Sequence, residues 1–466
     1  MTKKLLPLAL AAATGLAATA AQAVYLNTDG EGQVLIYPYF TVEGGQNTLI
    51  NVVNTTGETK AVKVRILEAM NSQEVLDFNL YLSPEDHWSA VISANDNGGA
   101  SILSNDTSCT VPAAISEGTA IEFRNFEYRS DQQNTGVDRT REGYVEIIEM
   151  GEVSDTDLEA AIEHQNGVPA NCGEVVAAWQ GSGPFTAGPT AAMNPPAGGL
   201  YGYGVLIDPA EGTDATYDAV ALEAFSALPV HTDPGSLDPS LDGAVPPQAE
   251  IANGNTYVTA SYTDGIDAVS AVLMSRSIAN DYVLEPTIGA GTDWVVTFPT
   301  KRDYVAVDPA TAPFTAPWDA ENTQSCEEIS ITYYDREEGS QQPNALDFSP
   351  QPPAAAPLSL CYEANVISFN NSDVLQASDR VAKNLALDSG FVNGWMTIDL
   401  GAQAGAPAGT RELADTTASP NTIVLNGLPV VGFAVQQYVN NAVTNGVKAN
   451  YAGLVSHKVT RELETR

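Results

Sequence analysis

Four histidines, four cysteines and 58 carboxylates against 20 basic side chains are the chemical resources of this 466-residue chain. A serine hydrolase needs a nucleophile, a base and an orienting acid. No Gly-x-Ser-x-Gly elbow is present. Of His87, His164, His231 and His457, only His87 stands in a suggestive setting, after Glu85-Asp86 and before Trp88. A turn leading into a strand explains it more simply. Zinc fares no better: there is no His-Glu-x-x-His, no Cys-x-x-Cys, and no two histidines at helical spacing. A glycosidase needs only two carboxylates across a cleft. Glu122, Glu142, Glu146, Glu149, Asp293 and Asp399 are candidates, but so acidic a chain supplies some such pair in any case. The sequence contains no recognisable catalytic motif, and no cofactor is expected other than calcium.

Hard cations want several carboxylate and carbonyl oxygens within one turn. NTDGEG (27–32) and SANDNGG (93–99) supply such oxygens, with Asp29, Glu31 and Asp96 as the weak calcium candidates. Neither has the twelve-residue loop with Gly at six and Glu at twelve, and ordinary Asx turns account for both. Carbohydrate binding would use exposed aromatics. Trp88, Trp294 and Trp395 lie in or at apolar strands and read as core; Trp179 and Trp318, in looser context, are the candidate glycan platform. Lys301-Arg302, rare bases directly after an aromatic strand, are expected to form ion pairs at a seam between two halves of the chain.

These residues need a scaffold, and its compartment is legible first. MTKKLLPLALAAATGLAATAAQA (1–23) has two lysines, a short Ala-rich apolar run and a terminal Ala-x-Ala: a signal peptide. Export would leave about 443 residues beginning near Val24, outside the cytoplasm: periplasmic, surface-bound or released. Loss of Lys3 and Lys4 takes the net charge from -38 to about -40. Such a field repels nucleic acid and anionic lipid, and suits a saline medium. No membrane span is expected after cleavage. In an oxidising compartment Cys109, Cys172, Cys326 and Cys361 read as disulfides, with pairing inside each half preferred among the three arrangements.

Short β-rich runs cut by Gly, Asn, Asp and Pro dominate the rest. NTLINVVN (47–54), a turn at 55–58 and AVKVRILEA (61–69) read as a strand and its return; VLDFNLYL, IEFRNFEY (121–128) and YVEIIEM add strands. Helical period is weak, at 155–164 with Asp155 as cap and at 371–387. Residues 228–249, rich in Asp and Pro, cannot form a core and read as a linker or long surface loop. The expected layout is a β-sandwich domain over 24–227 and another over 250–466. The two halves echo one another: HWSAVI (87–92) answers DWVVTF (293–298), IEFRNFEY answers CYEANVISFN (361–370), GYVEIIEM (143–150) answers GWMTIDL (394–400), and GYGVLID (202–208) answers VGFAVQQY (431–438). The fold class is therefore all-β, Ig-like or jelly-roll-like sandwiches in a duplicated arrangement with minor short helices. Two such halves would also be able to pair into one large body.

Residues 38–84, PYFTVEGGQNTLINVVNTTGETKAVKVRILEAMNSQEVLDFNLYLSP, with GTDWVVTFPTKR (291–302), resemble uncharacterised exported proteins of Gram-negative environmental bacteria. The resemblance touches both halves and implies only a secreted, β-rich chain; no activity comes with it. The expected role is a non-catalytic structural or interaction protein, self-assembling through shared strand edges, its partner being itself or a surface polysaccharide. A carbohydrate-binding or adhesive module and a secreted polysaccharide hydrolase are the alternatives.

Overall fold

The computed structural model describes residues 23–343, 347–349, 357–440, 443–444 and 447–466; the expected signal peptide, residue 23 apart, lies outside them. Strand makes up 44% and helix 13%, so the fold is all-β. Ten strands build the first half: β1 (Val34–Thr41), β2 (Asn47–Asn54), β3 (Lys60–Glu68), β4 (Glu74–Leu82), β5 (His87–Ala94), β6 (Ala100–Leu103), β7 (Glu142–Val153), β8 (Leu200–Asp208), β9 (Thr213–Asp218) and β10 (Val220–Glu223). They form sheet I, in the order β10-β1-β7-β3-β4, and sheet II, in the order β9-β8-β2-β5-β6, with short strands added at the margins.

The second half uses β11 (Ser277–Val283), β12 (Ala290–Thr297), β13 (Ser330–Asp335), β14 (Ser340–Gln341), β15 (Ala364–Phe369), β16 (Ala382–Leu385), β17 (Asn393–Asp399), β18 (Val431–Tyr438), β19 (Tyr451–Ser456) and β20 (Lys458–Thr460). Sheet III runs β20-β11-β17-β13-β14 and sheet IV runs β19-β18-β12-β15-β16. Strand for strand, this is the order of the first half. The correspondence places β12, which carries Trp294, opposite β2 rather than opposite the HWSAVI strand β5. One pairing departs from it: β15 and β16 are parallel, whereas β5 and β6 are antiparallel.

Alternation decides the faces of each strand. Leu35, Tyr37, Val64, Ile66, Phe78 and Ile147 point from sheet I toward Ile50, Val52, Trp88 and Ile92 of sheet II. Ile278, Tyr282, Ile331, Met396 and Ile398 of sheet III meet Trp294, Val296, Ile367 and Phe369 of sheet IV. Burying each such side chain stabilises the fold by about 1.5–3 kcal/mol. Sheet IV is buried on both faces: Val295, Val366, Phe433 and Val435 join the core of the first half, where the Phe433 ring stacks on Tyr217 at 5.0 Å. The halves thus share cores.

Among the described residues there are five short α-helices: α1 (Thr156–Ile162), α2 (Cys172–Ala178), α3 (Pro184–Ala187), α4 (Gly265–Leu273) and α5 (Lys301–Val305). Asp155 caps α1 by accepting from the backbone N–H groups of Asp157 and Leu158, as its position suggested. Three local expectations change. Residues 371–387 form no helix; Asn371, Asp373 and Gln376 take positive φ, which breaks any helical run. IEFRNFEY is extended only at Ile121–Glu122 and then enters a 3-10 turn. β3 is not the return of β2: Asn54 ends β2 by donating to Glu58 and Ser83 carbonyls, and the chain crosses to the other sheet.

The two disulfides are Cys109–Cys172 and Cys326–Cys361, each within one half. Residues 228–245 run along the outer face of sheet I. There Lys63 Nζ donates to the carbonyls of Asp233, Pro234 and Ser236 and pairs with Asp77 at 3.0 Å. His231 is buried among Tyr81, Trp179 and Phe185, and burial lowers its pKa to about 4, so it stays neutral. Contrary to expectation, this Pro- and Asp-rich stretch adds to the core through Leu241 and Ala244, and its backbone carbonyls hold it to sheet I.

Candidate functional site

The residues singled out for chemistry are mostly tied into the framework. Arg65 pairs with Glu74 at 2.9 Å and with Glu146; Glu149 pairs with Lys60 at 2.7 Å and accepts the Gly198 N–H. Glu142 accepts from the Tyr39 and Ser378 hydroxyls. Asp293 accepts from Leu375 N and the Ser372 hydroxyl, and Asp399 pairs with Arg276. Glu122 is half-buried and accepts from Asn97. His87 is exposed at the start of β5.

Asp29, Glu31 and Asp96 lie exposed in turns, the first two on a different loop from the third. Those turns are closed by Asn27 and Asn95 side chains accepting backbone N–H groups. Among the described residues no three His, Cys, Asp or Glu side chains are grouped to hold a metal.

Lys301 and Arg302 do lie at the seam, but the expected ion pairs are absent among the described residues. Lys301, buried in α5, donates to the Ser325 and Tyr362 carbonyls. Arg302 crosses the seam to the Ser72 carbonyl at 2.6 Å. Carbonyls take the place of carboxylates because the first residues of α5 direct both side chains to neighbouring turns, where backbone oxygens lie within reach. Burial lowers Lys301 to about 8 and raises nearby Glu363 to about 8. The charged cluster of the seam is Arg139, which holds Glu68 at 2.8 Å and Asp131 at 2.6 Å; Asp131 also accepts the Trp318 indole N–H at 2.8 Å.

Trp318 is therefore a half-buried seam residue. Trp179 is also half-buried, packed on Phe185 and His231 with its N–H on the Tyr81 hydroxyl at 3.0 Å. Trp88 and Trp294 are fully buried, but Trp395 is not: it is 42% exposed. The alternation of GWMTIDL held the information. Met396 and Ile398 face the core, which puts Trp395, Thr397 and Asp399 together on the opposite, polar face.

That face is the outer surface of sheet III. Asp281, Trp395 and Tyr334 form one cross-strand row, and Ala279, Thr397 and Thr332 the next. The Trp395 and Tyr334 rings stack at 4.2 Å with 6° between planes. Gly394 lets the strands approach there: a Cβ on it would lie 1.8 Å from the Tyr334 carbonyl oxygen. Asp281 is exposed beside the indole, and Ser340 follows Tyr334 across β14. Among the described residues the Trp395 indole N–H has no partner, and no base pairs with Asp281. A rigid aromatic pair bordered by hydroxyls and one carboxylate suits the C–H face of a sugar ring, with its hydroxyls donating to the acid. The chain matches no family model, no curated protein and no solved structure in such comparisons.

Proposed function

We propose that this chain is a non-catalytic, exported interaction protein that binds neutral carbohydrate on the outer face of sheet III. The exposed, stacked Trp395–Tyr334 pair carries this reading. The large negative charge disfavours anionic polysaccharides, which narrows the ligand to neutral or cationic glycans. Two disulfides support export, and no described helix is long and apolar enough to cross a membrane. The matching strand orders support an origin by duplication of one sandwich.

Retention on insoluble neutral polysaccharides and glycan-array binding, each lost in Trp395→Ala with folding intact, is the expected result. Undiminished binding by that variant would refute the assignment.

A second reading has its own support. The corresponding face of sheet I is covered by the chain itself, so a second copy is a candidate cover for sheet III. Light scattering at high concentration separates the two. Dimers or larger particles abolished by Trp395→Ala favour self-association, whereas a monomer that binds glycan favours the first reading.

A further inference from the structure

A cleft of about 750 Å³ opens where the two halves meet, away from the Trp395 face. It lies within the size range of small-molecule sites, roughly 300–1,000 Å³. Its walls include Val220 from the first half and Leu273, Ile278, Val431, Phe433 and Val459 from the second. His457 lies on it in neutral form. Its Nε2–H donates to the Val295 carbonyl at 2.8 Å, its Nδ1 accepts from Asn280, and burial lowers its pKa to about 4. The histidine therefore adds no charge.

Charge at the cleft comes from Arg461 and from the acids Asp29, Glu31 and Asp218 of its rim; Lys458 also borders it, but pairs with Ala279 and so directs its side chain to the Trp395 face. The three acids are exposed, whereas Arg461 is half-buried. Among the described residues, no carboxylate lies within ion-pair distance of Lys458 or Arg461. Among the described residues Arg461 has one hydrogen-bond partner, the Val272 carbonyl near the end of α4, although a guanidinium carries five N–H donors. Four of its five N–H donors are thus left for a ligand beside the cleft. Attraction grows as water is excluded, so the half-buried cation outweighs the solvated acids of the rim.

We infer that this cleft binds a single-chain amphiphile with a carboxylate head, a long-chain fatty acid. The head lies on Arg461, and the chain lies along Leu26, Val220 and Val459, with Leu273 and Val431 at the base of the cleft. Bidentate hydrogen bonding from a guanidinium fits a carboxylate, and the apolar walls fit a hydrocarbon. This site is independent of the glycan face.

Calorimetric titration of the full mature protein with dodecanoate, dodecanol and dodecyltrimethylammonium tests it. Dodecanoate should bind at least ten-fold tighter than either of the others. Arg461→Gln should remove that preference. Val459→Glu, at a position 49% exposed and so compatible with folding, should weaken dodecanoate at least ten-fold by placing an anion in the cleft. Trp395→Ala should leave dodecanoate binding unchanged, which separates this site from the carbohydrate reading. Near-UV circular dichroism checks that each variant is folded. No dodecanoate binding, equal binding of the alcohol or of the cationic amphiphile, or wild-type affinity in both cleft variants would overturn the proposal.

Discussion

Gly143-Tyr144 in β7 and Gly394-Trp395 in β17 occupy matching places in sheets I and III. Both glycines are demanded by the neighbouring backbone: a Cβ would lie 1.9 Å from the Leu67 carbonyl oxygen in the first case and 1.8 Å from that of Tyr334 in the second. Both aromatic residues then turn to the outer face. Tyr144 is buried there, donating to the Ser72 hydroxyl and to the Pro299 carbonyl of the second half. Trp395 stands in solvent against Tyr334. The same local backbone thus yields a packing residue in one half and a surface aromatic in the other. What differs is the cover: the seam, helices α1 to α3 and residues 228–245 close over sheet I, while most of sheet III's outer face is left open.

Charge follows the same division. Under its cover, sheet I holds Lys60, Lys63, Arg65 and Arg139 with their carboxylates. The outer face of sheet III carries hydroxyls, Asp281, Lys458 and the part-exposed Arg276–Asp399 pair instead. Burying an ion is costly unless it is paired, and breaking a buried pair costs more than the pair contributes. The covered face is therefore the sensitive one.

If cover is what separates the two sheets, mutation and pH should act on them unequally. The largest effect should come from the disulfides. They span 63 and 35 residues, and loop-closure entropy gives about 4 kcal/mol for each, slightly more for the longer. Denaturant unfolding of the two Cys-to-Ser pair variants should show Cys109/Cys172 as the costlier loss; the reverse order would place the weaker half first. Next is Arg139→Met, expected to cost about 3–5 kcal/mol because Glu68 and Asp131 are left buried without their cation. A loss below about 1 kcal/mol would mean that water reaches the seam.

The third is pH. Burial pushes Glu363 up to about 8, Glu142 to about 7 and Asp293 to about 6. Each folded carboxyl therefore holds its proton where the unfolded one has lost it. Stability is greatest below the unfolded carboxyl pKa and declines as pH rises through these folded values. The Tm should fall by several degrees between pH 6.5 and pH 8.5, above the range in which the buried neutral His231 and His457 act with the opposite sign. Glu363→Gln should reduce the slope, whereas a Tm rising over that range would contradict the buried state of these groups. The smallest effect is Trp395→Ala, expected to change stability by about 0.5 kcal/mol or less because the residue is exposed. Trp294→Ala, at the fully buried position, should cost about 3–5 kcal/mol.

Much of this frame was readable in advance. Period-two alternation announced most of the strands, and cysteine placement, two in each half, favoured the pairing observed. Asp155 marked its helix because a cap is a local interaction. Misreadings arose where a pattern was weighed by content and not by face. Trp395 lies in an apolar strand, yet its alternation with Met396 and Ile398 puts it on the polar side. The 371–387 segment has helical spacing, but positive φ values at Asn371, Asp373 and Gln376 override it.

Features that depend on neighbours along the chain follow from the residue order: strand periodicity, most turns, the cap of α1 and the acidic composition. Tertiary structure alone decided which faces were covered. Arg139 meets Glu68 across 71 residues, and Arg302 reaches Ser72 across 230. The fatty-acid cleft joins Val220 to Val459. Such contacts arise from how sheets stack, and no short spacing in a chain encodes them.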